Sequence, residues 1–255
     1  MSLDPIAKHY EDSKQRIHCQ SNDEILNDAA KIFFSRSHQL QYSYNFSWLG
    51  RPIIQYPQDI IALQEIIYEV KPDLIIETGI AHGGSLIFSA SLLSLIDLMS
   101  GDDPKKSKRK VVGIDIDIRN HNRQALDAHP LRHKIHLIEG SSIDDNVISD
   151  VHKFAKPYQN ILVCLDSNHT NDHVLAELHA YANLVHKGSY CIVFDTVIDD
   201  LPQGSFPDRP WDVGNNPKTA VRTWLKDRTD FEIDHEIDQK LLISVTPNGY
   251  LKRIK

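Results

Sequence analysis

From residue 58 onward, short apolar runs alternate with longer stretches in which apolar residues recur every three to four positions. Leu74–Glu77, Val111–Asp115, Ile135–Glu139, Ile161–Asp166 and Tyr190–Asp195 have the near-continuous apolar character of strands buried on both faces. Between and before them, helical spacing predicts Pro57–Val70, ended by Lys71-Pro72, then Gly84–Met99, His121–Ala128, Asp145–Phe154 and Asp172–Val185. This rhythm predicts an α/β fold, a doubly wound, Rossmann-like and mostly parallel sheet with helices on both faces. Lys218–Lys226 reads as a further helix, and Phe231–Ile237 with Leu241–Thr246 as a closing antiparallel strand pair.

Two stretches fall outside the rhythm. Residues 1–57 read as an N-terminal extension, with 58–255 as the Rossmann-like domain. Within the extension, 1–37 are helical with an apolar stripe at Ile25, Leu26, Ala29, Ile32 and Phe33, expected to pack on the main domain. Residues 38–57 are irregular and aromatic, suited to lining a pocket, meeting a subunit or covering a core. The second break, 199–217, is proline-rich and follows directly on Asp195, which marks it as a lid.

Charge narrows the partners. The net charge of −7 and pI near 6.0 give no electrostatic footprint for nucleic acid, and the basic run Lys105–Lys110 reads as a solvated connection. Three cysteines without a pairing pattern, and no apolar stretch of the roughly 18–20 residues needed to span a bilayer, predict a cytoplasmic protein without a transmembrane segment. A homo-oligomer is left open.

The turn Glu77-Thr78-Gly79-Ile80-Ala81-His82-Gly83-Gly84-Ser85 joins a strand to a helix but lacks the second glycine of the dinucleotide fingerprint. A looser Glu-x-Gly turn suits S-adenosylmethionine, which has no phosphates to cradle. Glu77 and Gly79 suit its amino-acid end and Asp115 the ribose hydroxyls, with Thr78, Gly83 and Ser85 of the same turn also expected to bind the cofactor. Gly140-Ser141-Ser142-Ile143-Asp144, with Ser142 at its centre, suits the adenine. The competing readings are a nicotinamide oxidoreductase and a binding or assembly subunit that keeps the fold without catalysis.

Asp166 and Asp195 close two successive strands, where open α/β sheets bind ligands. Two carboxylates there form a hard-cation site suited to Mg²⁺, with Asp166 also bordering the cofactor. His169, three residues on, suits a general base that takes the proton of an acceptor hydroxyl. His173 is expected to be structural. The structural alternative makes Asp172 a helix cap and Asp195 a loop cap.

With these residues in place, the chain resembles the cephalosporin hydroxylase and rhamnosyl O-methyltransferase family, which includes macrolide-sugar O-methyltransferases. The resemblance runs from about Trp48 to Arg253. It rests on Trp48-Leu49-Gly50, Pro57-x-Asp59, Ile76-Glu77-Thr78-Gly79 with Gly83-Gly84-Ser85, and Val112-Gly113-Ile114-Asp115-Ile116-Asp117. It continues through Asp166-Ser167-x-His169-x-x-x-His173-Val174-x-x-Glu177-Leu178, Asp195-Thr196, Pro217-x-x-Ala220-Val221 and Asn248-Gly249-Tyr250-Leu251-Lys252-Arg253. It implies S-adenosylmethionine, Mg²⁺ near Asp166 and Asp195, a base at His169, and a hydroxyl acceptor on a sugar, another polyhydroxylated small molecule or a glycolipid. The chain departs from the family at Phe194, where many relatives carry an acidic residue, so weaker metal binding is expected.

Overall fold

The apolar runs become the strands of one sheet. In the computed structural model, which describes residues 4–255, β3 (Leu74–Thr78) lies at the centre, flanked by β4 (Lys110–Asp115) and β6 (Ile161–Leu165). Beyond them lie β5 (Ile135–Glu139) on one side and β7 (Tyr190–Val193) on the other, all parallel. The far edge is antiparallel: β9 (Tyr250–Arg253) pairs with β7 and with β8 (Phe231–Ile233). The strand order β5-β4-β3-β6-β7-β9-β8 reverses direction between β3 and β6, which makes their carboxyl ends the switch point.

Alternating strand residues divide the interior in two. Ile75, Val111, Leu162 and Ile192 share one core with α3 (Pro57–Val70) and α4 (Gly84–Met99). Leu74, Ile76, Val112, Val163 and Val193 share the other with α6 (Asp145–Ala155), α7 (Asn171–Tyr181) and α8 (Pro217–Leu225). Helix α5 (Asn120–Asp127) places Leu126 under the glycine turn.

The predicted closing pair is corrected. Phe231 opens a strand, but Asp234 accepts from Glu236 N and starts α9 (His235–Leu241). Leu241–Thr246 forms no strand, because Val245 N donates to the Asp59 carboxylate at 3.0 Å rather than to a ladder. The second strand is β9 instead. Asp59 also accepts from Ser244 Oγ at 2.5 Å and Tyr250 Oη at 2.8 Å, so the Pro57-x-Asp59 and Asn248-Gly249-Tyr250 motifs meet in space. Burial pushes the Asp59 carboxyl up to about 6 despite these donors.

The N-terminal stripe is also corrected; of the predicted helical stretch, residues 1–3 lie outside the described residues. Helices α1 (Pro5–Ser21) and α2 (Glu24–Gln39) form, but α2 buries Ala30, Phe34 and Ser37. Ile25, Leu26, Ala29, Ile32 and Phe33 are exposed. The helix is turned by about one residue because Phe34 stacks on Tyr56 at 5.0 Å and Ser37 bonds the Tyr56 hydroxyl at 2.8 Å. The basic run is not wholly solvated: Arg109 donates to the buried Asp97 at 2.6 Å. Among the described residues, no helix is long and apolar enough to cross a membrane.

Candidate active site

Two glycines bring three segments together at the switch point. A β-carbon on Gly79 (φ +85°) would stand 2.1 Å from the Asp166 carbonyl oxygen, and one on Gly84 would stand 2.1 Å from that of Pro52. The first contact sets the β3 turn against the end of β6. The second lays the hairpin β1 (Phe46–Trp48) and β2 (Arg51–Ile53) onto the start of α4. Arg51 donates to His82 O at 2.9 Å and to Asn122 Oδ1 at 2.7 Å, while Asn122 donates to Ala81 O at 2.8 Å. This clamp holds Ala81 at φ +45°, the position where a dinucleotide fingerprint would carry glycine.

A cleft opens there, lined by Gly79, Ile80, Gly84, Ser85, Asp115, Asp166 and Arg209 among others. Asp115 Oδ2 accepts from Ile80 N at 2.8 Å, so it organises the turn as well as facing the cleft. Glu77 shares the Ile75 face of β3 and lines a small inner cavity with Gln55, Asp59, Phe88, Asp166 and Phe194. The Ser85 hydroxyl donates to Glu77, yet desolvation dominates and pushes the Glu77 carboxyl up to about 7. Thr78 is fully buried behind the cleft, where its carbonyl accepts from Asp166 N at 3.0 Å. Gly83 caps α4 at φ +81° against Leu126.

Ser142 is placed differently from expectation. It is buried, its hydroxyl within 3.0 Å of His173 Nε2 and its carbonyl bonded by Tyr181, and it lines neither cavity. Ser142 ties the loop after β5 to α7 and does not face the cleft. His173 Nε2 lies 3.2 Å from Ser167 Oγ and 3.6 Å from Glu177 Oε1.

Asp166, His169 and Asp195 come together, with one ligand atom from each inside a span of 4.8 Å. The Asn168 side chain accepts from Thr170 N and turns the loop that carries His169. His169 Nε2 lies 3.0 Å from Asp195 Oδ2, and the ring packs edge-on against Trp211 at 4.7 Å. Desolvation, then the Asp195 charge, hold the Asp166 carboxyl well above the usual carboxylate range. Neither capping alternative holds. Thr170, not Asp172, precedes α7, and Asp195 sits at φ +56° with no side-chain bond to the turn that follows it. A strained aspartate whose carboxylate serves no local fold bond is a functional signature. Two carboxylates side by side without a lysine or arginine partner fit a divalent cation.

Gln55, Arg51, Asn122, Arg209 and Trp211 were not singled out from sequence. The irregular aromatic stretch and the proline-rich loop were the only signals, and they located segments rather than side chains.

Comparisons with known proteins find relatives along most of the chain. The family model described as Rhamnosyl O-methyltransferase/CmcI matches residues 40–254. A rhamnosyl O-methyltransferase of Mycobacterium tuberculosis is 27% identical over 243 residues, covering 90% of this chain and 91% of that protein. Its counterpart in Mycobacterium leprae is 27% identical over 209 residues, covering 81% and 82%. Among solved structures, an apo structure of CmcI superposes with a TM-score of 0.54 at 19% identity, covering 83% of this chain and 77% of that one. CmcI with Mg and SAM gives 0.52 at 18%, covering 83% and 78%. These two likenesses bear on the fold.

Proposed function

We propose that this chain, which belongs to the rhamnosyl O-methyltransferase/CmcI family and is an S-adenosylmethionine-dependent O-methyltransferase, acts on a hydroxyl of a sugar or similar polyhydroxylated molecule with the help of Mg²⁺. The observation that carries this reading is the contact of Gly79 with Asp166, which places the cofactor turn directly beside the carboxylate and histidine group. Family membership sets aside the nicotinamide alternative.

The residues divide the work. Glu77, Gly79 and Ser85 receive the amino-acid end of the cofactor, and Asp115 the ribose hydroxyls. Asp166 and Asp195 hold the cation, which when bound lowers the pKa of an acceptor hydroxyl and orients it. Asp195 has a second task, since its carboxylate accepts from His169 Nε2 and fixes the imidazole tautomer. The lone pair then lies on Nδ1, which takes the hydroxyl proton as the methyl group moves. Trp211 limits rotation of the ring. The test is single-turnover transfer of labelled methyl from S-adenosylmethionine to a panel of glycosides, with and without chelator. Labelled glycoside formed only with free Mg²⁺ is expected; transfer confined to phenols or amines would overturn the sugar reading.

A further inference from the structure

Gln55 lies in the connection between β2 and α3, where nothing in the backbone demands a polar side chain. It is 8% exposed, and its two amide atoms fare differently. Nε2 donates to Asp166 Oδ2 at 3.2 Å. Oε1 is buried and bonds nothing. A buried, unpaired amide oxygen is costly, and such atoms in a folded protein call for a missing partner. Gln55 and Asp166 line both the outer cleft and the inner cavity, so the amide stands at the wall between them.

Another residue lining the inner cavity points to the missing partner. Phe194, 5% exposed, presents a ring to the cavity that Gln55 and Asp166 also line. Among the described residues the cluster therefore offers a cation two carboxylates, Asp166 and Asp195, while Glu77 and Asp59 line the inner cavity outside that cluster. His169 is a nitrogen ligand, poorly matched to Mg²⁺, which takes oxygen. The Gln55 amide holds an unused oxygen on the same carbon as the nitrogen that contacts Asp166. Rotating the amide by half a turn would bring Oε1 against Asp166, an arrangement that is repulsive unless a cation sits between the two oxygens.

We propose, resting on the Mg²⁺ reading above, that Gln55 Oε1 is the third protein oxygen of the cation site. Without metal, Nε2 donates a hydrogen bond to Asp166; with metal, the amide turns over. A neutral third ligand leaves the site one negative charge short of an all-acidic one, which sets weaker affinity while His169 stays free as a base. It also couples the cation to the hairpin that lies on the cofactor turn, because Gln55 follows directly on Ile53 and Ile54.

The test is Mg²⁺ titration of the full chain by calorimetry, repeated with Mn²⁺ followed by electron paramagnetic resonance, on wild type, Gln55→Leu and Gln55→Glu. Gln55→Leu is expected to weaken cation binding by roughly tenfold or more, and Gln55→Glu to tighten it by about as much. Metal-free S-adenosylmethionine affinity, measured in parallel, should stay within about threefold, because the amide serves the cation. The side-chain amide nitrogen resonance absent from Gln55→Leu should shift on adding Mg²⁺. Equal cation affinities in wild type and both variants would overturn the role of Gln55 while leaving the Mg²⁺ reading intact. Cation binding absent from wild type would overturn both. Should Gln55→Leu fail to fold, Gln55→Glu alone decides: unchanged affinity refutes the proposal.

Discussion

The carbonyl oxygen of Asp166 occupies space that a β-carbon on Gly79 would need, with only 2.1 Å between the two positions. The cofactor turn and the cation loop are thus one packing unit, closed by the absence of a side chain. Gly79→Ala adds the clash to the cost of a left-handed backbone, about 1–2 kcal/mol for a non-glycine residue. Urea unfolding should show a loss above about 2 kcal/mol, with weakened cofactor binding in whatever folds. An unchanged midpoint would mean that the two loops part freely.

Glu77 sets a pH dependence. Its carboxyl rises from 4.5 to about 7 on folding, chiefly through desolvation. A carboxyl raised in this way contributes its stability below the unfolded value and loses it as pH climbs through the folded one. Glu77→Gln removes the titration and keeps an oxygen for Ser85. The ligand-free variant should gain on wild type between pH 4.5 and 7, by roughly 3 kcal/mol over the window. Denaturant unfolding at the two ends of that range checks it. A constant difference would show that Glu77 titrates as in the unfolded chain.

His169 should matter for transfer and not for the cofactor. His169→Ala is expected to slow single-turnover transfer by roughly 10²–10⁴-fold. S-adenosylmethionine binding by calorimetry should stay as in wild type. Asp195→Asn should slow transfer and also weaken Mg²⁺, because Asp195 serves both. An undiminished rate in His169→Ala would remove the base.

Asp97 is fully buried with Lys134 equally buried against it, and Ser107 and Arg109 complete its shell. Burial opposes its charge, but these donors hold the carboxyl below its usual range. Asp97→Asn leaves the Lys134 ammonium buried without a counter-charge and should cost about 3–5 kcal/mol. This contribution is present above the unfolded carboxyl value and is lost as pH falls through the depressed one. Thermal unfolding of the variant checks the magnitude; a loss under about 1 kcal/mol would mean that water reaches Lys134.

Loop 199–217 rests on the site through Trp211 against His169 and through Phe206 against His38 at 5.1 Å. Arg209 lies over Trp211 at 5.3 Å and also lines the cleft. If the loop is a lid, cofactor with a glycoside acceptor should slow its proteolysis several-fold relative to the free protein. Equal cleavage rates in both states would refute lid closure.

The sequence by itself determined the parallel sheet, its helices and the positions of the chemical residues. Buried strands and amphipathic helices leave local periodicities, so Gly84–Met99 and Ile135–Glu139 were bounded to the residue. Strand ends are equally local, which made Glu77, Asp115, Asp166 and Asp195 readable as candidates. Tertiary structure decided what local pattern cannot encode. The α2 face depends on Tyr56 across the chain, and the closing strand depends on Asp59 capturing Val245. Ser142 meets α7 and Gln55 meets Asp166 for the same reason: burial and hydrogen-bond partners are set by segments distant in sequence. A glutamine in an irregular stretch carries no periodic signal, and only the fold places its amide nitrogen against Asp166 and leaves its oxygen buried without a partner.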